Sequence, residues 1–137
     1  MPDILARVTD APIDIDEIEE FVLSAEYGAL VTFRGVIRNH DHGEQVSALD
    51  YTAHPDAQRF LEDCCRTIAE ESGLRVAASH RIGSLTIGDV ALGASVAAPH
   101  RAEAFAACEK LIEIIKSSVP IWKRQHLAAG TTEWVNL

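Results

Sequence analysis

Eight consecutive residues, Val90 to Ala97, read VALGASVA, small and apolar almost throughout. A run like this has no wet side, so it predicts a central strand covered on both faces. The flanking sequence offers elements to cover it. Asp14-Ile-Asp-Glu17 has the form of a helix start with an acidic first turn, and Ile15, Ile18, Val22 and Ala25 form one apolar stripe ending before Gly28. From Pro55 to about Ser72 the positions Ala57, Phe60, Leu61, Cys64 and Ile68 give the clearest helical stripe; Pro55 suits its first turn and Gly73 its end. A third helix is predicted from about His100 to Ser117, with Phe105, Cys108, Leu111, Ile112 and Ile115 as its apolar face.

Between the helices lie β-rich segments. In Ala29 to Arg38, Val31, Phe33 and Ile37 share a face opposite Arg34 and Arg38. Asn39 to Gly43 is a polar turn, and Val46 to Ala53 reads as a second strand, which suggests a hairpin with a long tip. Val76 to Arg81 is a short strand separated from Val90–Ala97 by Gly83 and Gly88-Asp89, and the tail with Trp134 and Val135 predicts a last strand. The order α-β-β-α-β-β-α-β interleaves helices with strand pairs rather than strict βαβ units, so the expected class is α+β. At 137 residues the chain is expected to form one domain, 1–137, with a real core.

A formal net charge of −9 argues against nucleic acid as the main partner and makes local cationic clusters conspicuous. No apolar run is long enough to span a membrane, and Met-Pro-Asp-Ile lacks a signal-peptide pattern, so the expectation is a cytoplasmic protein. Cys64, Cys65 and Cys108 lack the spacing of a zinc site or a disulfide framework; Cys64 and Cys108 fall on apolar stripes and read as buried hydrophobes.

The conspicuous cluster is Lys116-Ser-Ser-Val-Pro-Ile-Trp-Lys123-Arg124. Lys116 belongs to the last turn of the third helix, where a cation is favourable by itself. Pro120 ends that helix and pushes Val119 toward an extended conformation, so Trp122-Lys123 can fold back beside the helix end. Like charges returning to one corner repel unless an anion joins them. A second cationic pair, His100-Arg101, opens the same helix, where the dipole disfavours cations and free N–H groups favour an anion. Arg38 ends a strand before the polar loop. His80-Arg81-Ile82-Gly83 followed by Gly88-Asp89 reads as strand end, turn and strand start, with a structural role. His40 and His42 around Asp41 are an incomplete ligand set, so no metal is expected. No Ser-His-Asp order, phosphate loop or Rossmann fingerprint is present. The residues suggest a small anionic substrate held by Arg and His and worked on by lysines, whose pKa falls with clustering and desolvation. Spacing leaves the reaction open.

Phe33-x-Gly35-x-x-Arg38-Asn39, His80-Arg81-Ile82-Gly83 with Gly88-Asp89, His100-Arg101, and Lys116-x-x-x-Pro120-x-Trp122-Lys123 occur in an order that closely resembles the large, catalytic subunit of molybdopterin synthase over nearly the whole chain. The resemblance implies an α/β-hammerhead-type α+β fold and a homodimer. Each end would receive a small ubiquitin-like sulfur-carrier subunit, giving a heterotetramer. The carrier's C-terminal Gly-Gly thiocarboxylate would enter a pocket, and two sulfurs would pass to cyclic pyranopterin monophosphate to make the molybdopterin dithiolene. It implies Lys116 and Lys123 as catalytic residues and Arg38, His100, Arg101, Lys116, Lys123, Arg124 and Gln125 as substrate-binding residues, with His100 and Arg101 contributed across the dimer interface. No cofactor is implied, and no cysteine is needed as a sulfur source. Thr52 and His54 stand where many members carry Glu and Tyr, and Gln125 where an acidic residue is common. The rival reading is a non-catalytic homologue that binds the carrier or a phosphorylated metabolite, and a third is an unrelated phosphate-ester enzyme.

Overall fold

Strand Val90–Ala98 is buried on both sides from Ala91 onward, and the rest of the architecture is arranged to make that so. A computed structural model describes residues 3–41, 44–127 and 132–136, by backbone alone at 40, 41, 44–46, 132, 133, 135 and 136. In chain order the elements are β1 (Ile4–Thr9), α1 (Ile15–Val22), β2 (Ala29–Val36), β3 (His40–Asp41), β4 (Glu44–Ala53), α2 (Ala57–Ser72), β5 (Val76–Arg81), β6 (Gly83–Thr86), β7 (Val90–Ala98), α3 (Arg101–Ser118), β8 (Ile121–Leu127) and β9 (Thr132–Asn136). The expected α+β class holds: three helices accompany a mixed sheet and an antiparallel sheet.

The first sheet runs β1-β5-β7-β2, with β1 and β5 parallel and the other neighbours antiparallel. Strand alternation sends Ala77 and Ala97 to one face, where Ile15, Ile18 and Val22 of α1 cover them. A Cβ at Gly93 would lie 2.8 Å from Ile15 Cδ1, so α1 sits directly on bare β7 backbone. Val76, Ala78, Val96 and Ala98 face the other way, into the main core with Leu61, Cys64 and Ile68 of α2 and Leu111 and Ile115 of α3. Asp14 caps α1 by accepting from the Glu17 N–H. Gly73 closes α2 in the left-handed conformation (φ 74°), donating its N–H to Ala69 O at 2.8 Å. No described helix is long and apolar enough to cross a membrane.

The second sheet runs β3-β4-β8-β9, with β6 also paired to β4. Here the sequence reading is corrected. β2 and β4 do not form a hairpin: β2 pairs with β7 in the first sheet, and β4 with β8 and β6 in the second. Burial outweighs adjacency, because the apolar β7 needs a strand on each edge and takes β5 and β2. The local hairpin is instead β3–β4, pairing His40 with Gln45. Ala25 lies beyond the end of α1, and α2 begins at Ala57 with Asp56 as its N-cap. Phe105 is 60% exposed rather than part of the buried stripe of α3, where Ala104 takes the inward position. Strands β1, β3, β6 and β8 were not foreseen; β8 carries Lys, Arg, Gln and His, which obscure its alternation.

Candidate active site

The corner after α3 forms as Pro120 requires. Val119 is extended (φ −80°, ψ 123°) and donates its N–H to Ile115 O at 3.0 Å, while Ile121 N–H reaches Val119 O at 2.9 Å. The Pro120 carbonyl accepts from His54 N–H at 3.0 Å, tying the turn to the end of β4. β8 then runs antiparallel to β4 with Lys123 opposite Tyr51 and Gln125 opposite Leu49. Alternation turns these four side chains to the interior and sends Trp122, Arg124 and His126 to the other face.

The inward set lines a cavity of about 340 Å³. β2 contributes Arg34 and, just past its end, Arg38; the register shifts between Gly35 and Val36, so residues from Phe33 to Arg38 all reach the wall. Lys116 arrives from the last turn of α3, Lys123 and Gln125 from β8, and His80 from the end of β5. Four cationic side chains thus line the cavity, and no Asp or Glu does among the described residues. In a chain of net charge −9 this is a site for an anion.

His80 is 2% exposed and stands edge-on to the Tyr51 ring, centroids 5.3 Å apart at 70°. Its Nδ1 lies 2.9 Å from Arg81 O. Burial above all, and the positive charge of Lys116, push its pKa down to about 4, against the opposing pull of the Arg81 carbonyl. The imidazole is therefore neutral near pH 7. Burial pushes the Tyr51 phenol up to about 12, so it keeps its proton. Gln125 is 2% exposed, and its Nε2 is buried without a hydrogen-bond partner. An unspent amide donor at a cavity wall is a candidate ligand for an acceptor oxygen.

Of the residues singled out in sequence, Arg38, Lys116, Lys123 and Gln125 meet at this cavity. Arg124 does not. It points to the opposite face of β8, 3.7 Å from Asp50 and 5.6 Å above the Trp134 ring. His100 and Arg101 are exposed at the far end of α3. Fifteen residues of helix put Arg101 about 22 Å from Lys116 along the axis, so one chain cannot place both on one small ligand. The His40–Asp41–His42 cluster lies outside the described side chains. All three cysteines are buried and unbridged, and burial pushes the Cys65 thiol up to about 12, which leaves no thiolate nucleophile there. His80, Arg34 and Tyr51 were not predicted as site residues. The available signal was the period of two in β5, which puts His80 in the inward row of Val76 and Ala78.

Residues 8–118 match the MoaE protein family. The chain belongs to that family. The molybdopterin synthase catalytic subunit 1 of Mycobacterium tuberculosis is 41% identical over 131 residues, covering 94% of this chain and 88% of the relative. Molybdopterin synthase from Staphylococcus aureus superposes with a TM-score of 0.88 at 34% identity, over 95% of this chain and 96% of that one. The fold also matches a chain in a protein–protein complex of subunits 1 and 2 of the molybdopterin-converting factor from Helicobacter pylori, with a TM-score of 0.73 at 19% identity, over 96% and 88% of the two chains. MoaE relatives of comparable length thus carry the catalytic-subunit name, and the cationic cavity lies within the span they share.

Proposed function

We propose that the chain is the sulfur-transferring subunit of a molybdopterin synthase. It takes the C-terminal thiocarboxylate of a small carrier protein and passes two sulfurs to cyclic pyranopterin monophosphate. The observation that carries this reading is the meeting of Lys116, Lys123 and Arg38 in one cavity. A thiocarboxylate tail and a cyclic phosphate are both anions, and fixed cations inside a low-dielectric wall stabilise the charge that develops as sulfur leaves one and joins the other. Lys116 receives the tail, and Lys123 moves protons and steadies anionic intermediates as the cyclic phosphate opens. Gln125 offers its amide N–H to an oxygen of either reactant. The inert, buried cysteines agree with a sulfur that comes from the partner.

The Helicobacter pylori complex supports a small subunit as that partner. We place His100 and Arg101 in the site of a second copy of the chain, because the length of α3 removes them from their own Lys116. The working assembly is then a homodimer with a carrier at each end. Arg124, held by Asp50 and Trp134, is left outside the site as a residue of the sheet's outer face.

The test mixes the purified chain with thiocarboxylated carrier and cyclic pterin precursor and measures molybdopterin. Product is expected, and Lys116→Ala should abolish it while carrier binding remains. No product with a competent carrier, or full activity in Lys116→Ala, overturns the reading. The dimer is tested by re-associating Lys116→Ala with Arg101→Ala chains. Mixed dimers hold one site with both residues intact and should regain activity; no regain would place Arg101 elsewhere.

A further inference from the structure

We propose that His80 is a specificity-determining residue: its Nε2 accepts a hydrogen bond from an N–H of the pterin ring, so the cavity recognises the uncharged heterocycle as well as the phosphate. The identity of the ring rests on the reading above; the acceptor and its place at the cavity wall do not.

A histidine buried to 2% exposure at the end of an apolar strand is costly unless its polar atoms are used. Nδ1 is used. It lies 2.9 Å from the Arg81 carbonyl, which can only accept, so Nδ1 carries the proton and the neutral ring keeps its lone pair on Nε2. Nε2 has no hydrogen-bond partner among the described residues. Nor is it sealed inside the protein, as the unpaired Gln125 Nε2 is. His80 lines the cavity, and Nε2 is the polar atom its ring has left to offer there. The Tyr51 ring, edge-on with centroids 5.3 Å apart, supports the plane of the imidazole and with it the direction of the lone pair.

A buried lone pair calls for a donor. A cyclic phosphate diester and a thiocarboxylate are both ionised near pH 7 and only accept, so neither charged end can meet Nε2. Its partner is an N–H on the uncharged part of a reactant, either a pterin ring N–H or a peptide N–H of the carrier tail. The rest of the wall decides between them. Phe33, Leu49, Tyr51, Ala91 and Leu92 line the same cavity, an apolar surface that a planar ring covers and that a Gly-Gly tail, having no side chains, leaves bare. A volume of about 340 Å³ suits a small heterocycle. The cations attract any anion and cannot tell a pterin from another phosphate ester. An imidazole acceptor can, because a ligand without the matching donor leaves it desolvated and unpaired.

The experiment has two arms. In assays with carrier and cyclic pterin, His80→Phe should raise KM for the pterin roughly 10- to 100-fold, the cost of leaving one buried donor unpaired, with kcat at saturation and KM for the carrier little changed. His80→Gln, which keeps an acceptor, should recover most of that loss. A wild-type pterin KM in a folded His80→Phe chain, a rise in the carrier KM instead, or a His80→Gln chain no better than Phe overturns the proposal. The second arm needs no turnover. In ¹⁵N spectra of the histidine-labelled wild type with unmodified carrier, His80 should be the Nδ1–H tautomer, and its Nε2 resonance should move on adding cyclic pterin and far less on adding inorganic phosphate. An Nε2–H tautomer, a resonance unmoved by the pterin, or one moved equally by phosphate overturns the proposal even where His80→Phe fails to fold. A wild type that makes no molybdopterin with a competent carrier sinks the sulfur-transfer reading; an Nε2 resonance that still moves with the pterin leaves the His80 acceptor standing.

Discussion

The two faces of β8 carry the same kinds of residue to opposite ends. On the inner face Lys123 and Gln125 turn to a cavity whose described charged side chains are all cationic. On the outer face, one residue away, Arg124 and His126 converge on Asp50 of β4, at 3.7 Å and 2.6 Å, and Ser84 of β6 donates to the same carboxylate at 2.7 Å. Trp134 of β9 lies beneath the Arg124 guanidinium. The outer charges are answered within the sheet and serve to hold β4, β6, β8 and β9 together. The inner ones are arranged around a space. A cationic sequence therefore says little until strand alternation sorts its members.

The comparison can be broken at several points. The largest effect is expected inside: Lys123→Ala should lower kcat by about 10²- to 10⁴-fold, the usual scale for a lost acid–base group. Its urea midpoint should stay at the wild-type value, and a midpoint that fell with the activity would make Lys123 a structural residue. Next comes the pH dependence of the inner wall. His80 has a folded pKa lowered to about 4, so the native state refuses a proton that the unfolded chain takes at about 6.5. Its contribution is present above pH 6.5 and lost as pH falls toward 4, roughly 3 kcal/mol over that window. Urea titrations from pH 7 to 4.5 should show this slope, and His80→Gln should flatten it. Outside, Arg124→Ala should cost about 1 kcal/mol of stability, as a half-exposed ion pair with a stacked ring does, and leave KM for the pterin unchanged. A raised KM with unchanged stability would move Arg124 into the site. The smallest effect belongs to Asp50. Hydrogen bonds from His126 and then Ser84 lower its pKa, so its contribution is present above the ordinary carboxylate range and lost as pH falls below it. Asp50→Asn should remove that part of the acid-denaturation slope below about pH 4.

Much of the frame was legible because it follows from local rules. The two-sided composition of Val90–Ala97 located the central strand, Asp14 and Gly73 marked helix ends, and Pro120 located the corner that returns Lys123 to Lys116. Pairing was less legible. β2 and β4 are neighbours in sequence, but partners are chosen by which edge must be covered, a property of the whole sheet. Site membership failed in two instructive ways. Arg124 was expected in the site from the family resemblance, but as the neighbour of Lys123 in a strand it points to the opposite face, away from the cavity. His80 was read as structural because its motif looked like a turn, and its role at the cavity wall depends on β4 and α3, which are distant in sequence.

α3 also acts as a ruler. Its 18 residues span about 27 Å, with His100 and Arg101 at one end and Lys116 at the other. In the proposed dimer each helix lends its start to one reaction centre and its end to the other, so neither centre exists in a lone chain. Specific activity should then fall to zero on dilution below the dimer's dissociation constant, with no active monomer left to level the curve.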